Sequence, residues 1–421
     1  MKAFYIWLTL GVPVWALGAP DQADLANRAE QLLRSGDKPA ALEVLSQAEK
    51  EEPASAAAED HIGFLLAVVG EKTEALEHFK KAITVDPQFA AAHYHLGAAL
   101  WLDNDTASGL PELQEAARLS PTVFDYRYRL GAAYLQTAQL EEAIEELKAA
   151  VQLDPGKADA WSYLGRAYQQ TQDLTSAVDA YQHAVAANPT DDVIRNDYAY
   201  LLVETRQADR AIEESKKVLE HDPSNSAALM NIGYANLKEG EFSSAEKAYR
   251  QALALDANSP AAHYDLGLAL KMQDQIERAQ VEFKAAIRLD PTLAQAHYTL
   301  GITDWQLGDF KSAADEMKAA IAVNAGYADA HYMLGIVLKQ TGDLDAAIPE
   351  LKEATHLDPN NPGPWNTLGQ ILRIKGDKQG SEQAFTEGTR LKREKESTLA
   401  SALDQGMRGG MAPQPLSNTR H

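Results

Sequence analysis

The chain contains no cysteine. Disulfides, cysteine-ligated zinc and thiol nucleophiles are therefore excluded, and nothing about the residue content opposes an oxidising compartment. Positive charge is scarce: 39 Lys and Arg stand against 61 Asp and Glu, a formal net charge of −22. That balance argues against non-specific binding to DNA or RNA, which needs cations to neutralise phosphates, and against docking on anionic membranes. Aromatic residues are few, at 7%, while alanine supplies much of the 45% hydrophobic content. Such a composition favours thin helical layers over a thick globular centre. No Gly/Ser/Pro linker cuts the 421 residues into conventional domains, although that length is large for one compact core.

Long apolar runs are also missing, except near the start. Met1-Lys2 precedes an apolar stretch from Ala3 to Leu17, and Ala16-Leu17-Gly18 before Ala19 resembles a signal-peptidase site. Residues 1–19 are expected to be a signal peptide and the protein to be exported, periplasmic or extracellular. If uncleaved, the same stretch would be an N-terminal membrane anchor. No nucleotide loop, H-E-x-x-H, nucleophile elbow or paired-cysteine motif occurs, so neither an enzyme nor a cofactor is expected.

What is present is a period. The stretch Phe124 to Pro155 reads as two amphipathic helices: Leu130, Gly131 and Tyr134 mark one stripe, and Ala143, Leu147 and Ala150 the other. Asp154-Pro155 ends it, because proline has no N–H and restricts its predecessor. Steps of 34 from Pro155 reach Pro53, Pro87, Pro121, Pro189, Pro223, Pro291 and Pro359. The register holds without insertion from Gln22 to Lys395, eleven repeats in all. Position eight is glycine in nine of them, with Ala29 and Ala199 elsewhere; position twenty is small throughout. Small residues let facing helices approach closely, which offsets the roughly 1 kcal/mol that glycine costs inside a helix. Gly36-Asp37, Gly308-Asp309, Gly342-Asp343 and Gly376-Asp377 supply a left-handed helix end followed by a cap. Gly109 with Pro111, and Pro349, are expected to delay or kink their helices. Asp304 and Asn236, at apolar positions, are expected to loosen their layers. The segment Arg390 to Lys395 should continue as a solubilising cap, and the tail beyond Leu403 should be disordered.

Trp161-x2-Leu164-Gly165-x2-Tyr168, then Ala177, Tyr181, Ala184 and Pro189, resembles the tetratricopeptide repeat pattern; Trp365, Leu368, Gly369, Leu372 and Phe385 repeat it. The resemblance spans about nine-tenths of the chain. It implies an all-α fold, an α-solenoid of helix-turn-helix repeats forming a right-handed superhelix. The domain plan is then a leader at 1–19, the array at 22–395, and a cap extension and tail at 396–421. In the family, positions two, five, nine, twelve and thirteen of each first helix point into a concave groove. Here these give Tyr94, Tyr128, Tyr264, Tyr298 and Tyr332 at position five, and Arg166 and Tyr234 at nine. Trp101, Trp305, Lys271 and Lys339 stand at twelve. Tyrosine, tryptophan and arginine are effective anchors, and Gln136, Gln170, Gln306 and Gln340 at thirteen could bond a peptide backbone. The simpler role of the tyrosines is to seal neighbouring first helices.

His93, His263, His297 and His331 all stand at position four, where the family has tryptophan, a structural slot rather than a converging metal site. Carboxylate pairs such as Glu141-Glu142 and Glu145-Glu146 read as a solvated outer face. No repeat combines Lys at five with Asn at nine, the start of the clamp that grips chaperone tails. The expected function is a non-enzymatic scaffold that binds a protein or peptide partner. The alternative is a regulatory or substrate-recruiting subunit of a separate enzyme or cell-envelope complex.

Overall fold

A computed structural model of the protein describes residues 22–51 and 55–409. The expected leader at 1–19, Pro53 and the tail from residue 410 lie outside the described residues. Helices begin at every place the 34-residue register requires, and no strand occurs among the described residues. The helices group into two compact units, one ending at His221 and the other starting at Asp222.

In the first unit the leading helices of the repeats are α1 (Gln22–Arg34), α3 (Ala56–Val69), α5 (Ala90–Leu102), α7 (Phe124–Gln136), α9 (Ala158–Gln170) and α11 (Asp192–Glu204). Their partners are α2 (Lys38–Glu51), α4 (Lys72–Val85), α6 (Thr106–Leu119), α8 (Leu140–Leu153), α10 (Leu174–Ala187) and α12 (Ala208–His221). In the second unit α13 (Ser226–Lys238), α15 (Pro260–Met272), α17 (Ala294–Gln306), α19 (Ala328–Thr341) and α21 (Pro362–Ile374) lead. They pair with α14 (Phe242–Leu255), α16 (Ile276–Leu289), α18 (Phe310–Val323), α20 (Leu344–Leu357) and α22 (Lys378–Gly409). Within each unit a first helix packs on its own partner and on the second helix before it. Stability in such a stack is a sum of near-neighbour terms.

Two devices repeat. The first is a knob over a glycine. Position eight faces position twenty-four of its partner helix so closely that a Cβ on Gly165 would lie 2.7 Å from the Tyr181 ring, and one on Gly267 2.5 Å from Phe283. Where position eight is Ala199, position twenty-four is the small Ser215, fully buried, with its hydroxyl donated to the Ala211 carbonyl at 2.8 Å.

The second device joins position four to position twenty-three. His93 Nδ1 meets Glu112 at 2.5 Å, and His263–Glu282, His297–Glu316 and His331–Glu350 each meet at 2.7 Å. Arg127–Glu146 and Arg195–Glu214 are the same bridge with arginine, and Glu59–His78, at 2.6 Å, is the same bridge reversed. The other nitrogen of these histidines contacts the carbonyl six residues back, such as that of Pro291 for His297 at 3.2 Å. Trp161 keeps that carbonyl bond, donating to Pro155 at 2.9 Å, and its position twenty-three is Ala180. The position-four histidines are thus braces between a repeat's two helices and the turn that precedes it. Glu146 is correspondingly part of a brace and not of a purely solvated face.

Other expectations change. The helix carrying Gly109 and Pro111 is not delayed: α6 starts at Thr106, where Asp105 accepts the Ser108 amide at 3.1 Å. Gly109 lets it close on α5, since a Cβ there would stand 2.9 Å from the Gly97 carbonyl oxygen. Likewise α20 starts in register and runs through Pro349. Asp304, 1% exposed, accepts a 2.6 Å hydrogen bond from Gln280, which holds its layer through a polar contact. Its other oxygen has no partner, and burial raises its pKa. Asn236 donates to the Ile232 carbonyl of its own helix at 2.7 Å. The last helix continues through Arg390–Lys395 to Gly409, past Leu403.

Candidate protein-binding face

The first helices of each unit stand side by side, and the sequence-predicted residues lie along this row. Many are engaged with the next first helix. In the first unit Trp101, 6% exposed, donates its indole N–H to Gln136 at 2.8 Å. Tyr94 packs at a tilt on Tyr126, 4.8 Å between ring centres, and shares a hydrogen bond with Arg129, while burial raises its pKa. Tyr128 is buried between Phe124, stacked at 5.6 Å, and the edge-on ring of Tyr163, also 5.6 Å away. Arg166 is exposed, its guanidinium 5.4 Å from the Tyr163 ring centre.

In the second unit Tyr264 reaches Thr299 at 3.4 Å, and Trp305 donates to Gln340. Tyr298 packs on Tyr327 at 4.9 Å. Tyr332 covers Gly363, where a Cβ would stand 2.8 Å from its hydroxyl. Lys339 donates to Gln370, and Tyr234 lies under the Lys238 ammonium at 5.0 Å. Lys271 is half-buried, which lowers its pKa, and makes no hydrogen bond or ion pair among the described residues. The tyrosines and tryptophans therefore seal neighbouring helices, and Gln136 and Gln340 are occupied by indoles.

Geometry adds features that residue type alone did not single out. Val193 and Tyr200, seven apart on α11, are 71% and 45% exposed. They stand at positions two and nine, so a search of those positions for apolar residues as well as cations would have found them. Met272 and Ile374, both at position thirteen, are likewise exposed. In the first unit a cleft of about 250 Å³ is lined by Phe124, Asp125, Tyr128, Arg129, Lys157, Asp159 and Asn188, among others. Burial raises the Asp125 pKa against the pull of Arg129 and Lys157. Elsewhere in the unit His95 Nδ1 meets the buried Asp60 at 2.8 Å, and burial lowers the pKa of neighbouring His61. Among the described residues no three metal-ligating side chains converge, and no helix is long and apolar enough to cross a membrane.

Four repeat profiles match along the chain. The cytochrome c-type biogenesis protein H TPR domain profile covers residues 131–261; tetratricopeptide repeat profiles cover 236–301 and 298–362, and a TPR repeat profile covers 70–104. The chain belongs to the tetratricopeptide repeat family. Solved structures similar to it include MamA, 28% identical over 39% of this chain and 97% of that one, with a TM-score of 0.38. A tetratricopeptide repeat protein from Parabacteroides merdae is 17% identical over 59% and 98%, with a TM-score of 0.48. YrrB, described as a TPR protein with an unusual peptide-binding site, is 20% identical over 45% and 97%, with a TM-score of 0.39. No curated protein sequence matches the chain. Tetratricopeptide repeats are in general protein-interaction scaffolds and typically carry no catalysis of their own.

Proposed function

We propose that this chain is a non-enzymatic scaffold whose first-helix faces bind segments of partner proteins. The supporting observation is the exposure of Val193 and Tyr200 on α11, beside the cation of Arg166 on α9. The exposed surface of these side chains offers area that a partner can bury. The proposed setting is outside the cytoplasm, on the strength of the leader-like residues 1–19. Mass spectrometry of the purified native protein checks that setting: an N-terminus at or near Ala19 is expected, and an intact Met1 overturns it.

The binding reading is tested by affinity capture from the native cell envelope, comparing the protein with a Val193→Ser/Tyr200→Ser/Arg166→Ser variant. These side chains are solvent-facing, so the variant should keep its helical content by circular dichroism. A partner held by the protein and lost by the variant supports the reading. A partner held equally by both moves binding to another surface. A second reading, a recruiting subunit of an assembly machine, draws on the biogenesis-type profile over residues 131–261. Stoichiometric co-purification of an enzyme would favour it.

A further inference from the structure

The cations of the second unit's first helices fall into a row. Lys271, Lys339 and Arg373 occupy position twelve of their repeats, and Lys238 occupies position thirteen of the repeat before them. The row's central position twelve is Trp305. Cross-helix contacts keep the helices in one line: Tyr264 to Thr299 joins α15 to α17, Trp305 to Gln340 joins α17 to α19, and Lys339 to Gln370 joins α19 to α21. In the first unit the corresponding position-twelve residues are Leu33, Ala67, Trp101, Leu135, Gln169 and Val203, with no cation among them.

Among the described residues none of the four cations meets a carboxylate. Lys339 bonds only the neutral Gln370, Lys238 lies over the Tyr234 ring, and Arg373 lies 5.7 Å from the Phe385 ring centre. Lys271 has no polar partner among the described residues, and burial already disfavours its charge. In contrast, second-helix cations such as Arg250, Arg278 and Arg390 are tied to Glu246, Glu387 or Glu394. The first-helix carboxylates of the unit are Asp265, Asp304 and Asp329; Asp304 is buried and bonded to Gln280, and among the described residues none of the three forms an ion pair with the row. A chain of net charge −22 thus keeps an unneutralised cationic row beside Tyr298 and Trp305. A half-buried ammonium without a counter-charge is costly unless an anion arrives.

We propose that this row binds an extended, acidic segment of a partner protein, its carboxylates meeting Lys238, Lys271, Lys339 and Arg373 and its backbone lying over Trp305. The proposal rests on the first-helix face being the binding face, and it adds the unit and the chemistry of the ligand. At roughly 10 Å per helix layer the row is about 40 Å long, which an extended chain covers with about 12 residues.

The test is fluorescence anisotropy of the full chain with labelled oligoglutamate of that length, with oligolysine and a Gly/Ser peptide as controls. Saturable binding of oligoglutamate alone is expected, weakening as salt rises. Lys271→Gln/Lys339→Gln should weaken it roughly tenfold, the loss of two contacts of about 0.7 kcal/mol each. Lys247→Gln on the outer helix α14 should change little. Failure of the protein to bind oligoglutamate, or equal binding by the double variant, overturns the proposal. Concentration-dependent self-association that oligoglutamate dissolves also overturns it, because the occupant is then a second copy. If envelope capture yields a partner that depends on Val193 and Tyr200 but not on Lys271 and Lys339, the binding-face reading stands and the acidic-segment proposal falls.

Discussion

Gly233 lies beneath the ring of Tyr249, so close that a Cβ on it would stand 2.4 Å from the ring's Cε1. Tyr249 is fully buried and cannot swing aside. Gly233→Ala should therefore destabilise the second unit by about 1–3 kcal/mol through overpacking, despite alanine's better helix propensity. Adding Tyr249→Ser, the pairing that Ala199 and Ser215 already show, should relieve the clash while losing the ring's buried area. Urea unfolding of the single and double variants checks both effects.

The brace between His297 and Glu316 makes a second prediction. His297→Ala should cost about 1–2 kcal/mol by leaving Glu316 and the Pro291 carbonyl without their partner. Combining His297→Trp with Glu316→Ala should recover most of that loss, because Trp161 with Ala180 and Trp365 with Ala384 already occupy these positions. A double-mutant cycle read by unfolding midpoint measures the coupling. Additive costs for His297→Ala and Glu316→Ala would show that the brace does not couple the two positions.

These braces mark what was legible in the sequence. The period located every described helix, because the Gly/Ala spacing and the Asp-Pro stops are local. The pairing of positions four and twenty-three was also written there, in His with Glu, Trp with Ala and the reversed Glu59 with His78, but only a comparison across both helices exposes it. Asp304 misled because its partner, Gln280, lies on the preceding repeat's second helix. The candidate anchors were chosen by residue type, yet Trp101 and Trp305 spend their indole donors on Gln136 and Gln340, contacts that depend on how one repeat sets against the next. Val193 and Tyr200 stand at positions two and nine, legible in the register, but how far they are exposed is a property of the stack.

Burial pushes the Asp265 carboxyl up to about 6 from its ordinary 3.8. Between about pH 4 and 6 the folded protein holds a proton that the unfolded chain releases, so stability falls as pH rises through that window and the penalty then stays constant. Asp265→Asn removes this step. The variant should match the parent near pH 4 and exceed it by on the order of 1–2 kcal/mol at pH 7. Denaturant midpoints across that range check it, and a constant difference between the two proteins would refute the assignment.

The turn between the helices of each repeat needs one residue with positive φ. Glycine fills it at Gly36, Gly70, Gly240, Gly308, Gly342 and Gly376, but Ala138 is held at φ 58° and Arg206 at 59°. A left-handed conformation costs a residue with a Cβ about 1–2 kcal/mol, part of which glycine returns as unfolded-state entropy. Ala138→Gly should raise stability by about 0.5–1 kcal/mol, read by thermal or urea midpoint.

Because each brace closes within one repeat, copying or deleting a whole 34-residue block leaves every His–Glu, Arg–Glu and Trp–Ala couple intact. The Trp305–Gln340 contact spans 35 residues and crosses the seam between blocks. An array of this kind can change length by recombination at little cost to its internal struts. The seams, where Lys339 meets Gln370 and Tyr264 meets Thr299, take on new neighbours each time, so the surface can diversify there while the building block stays the same.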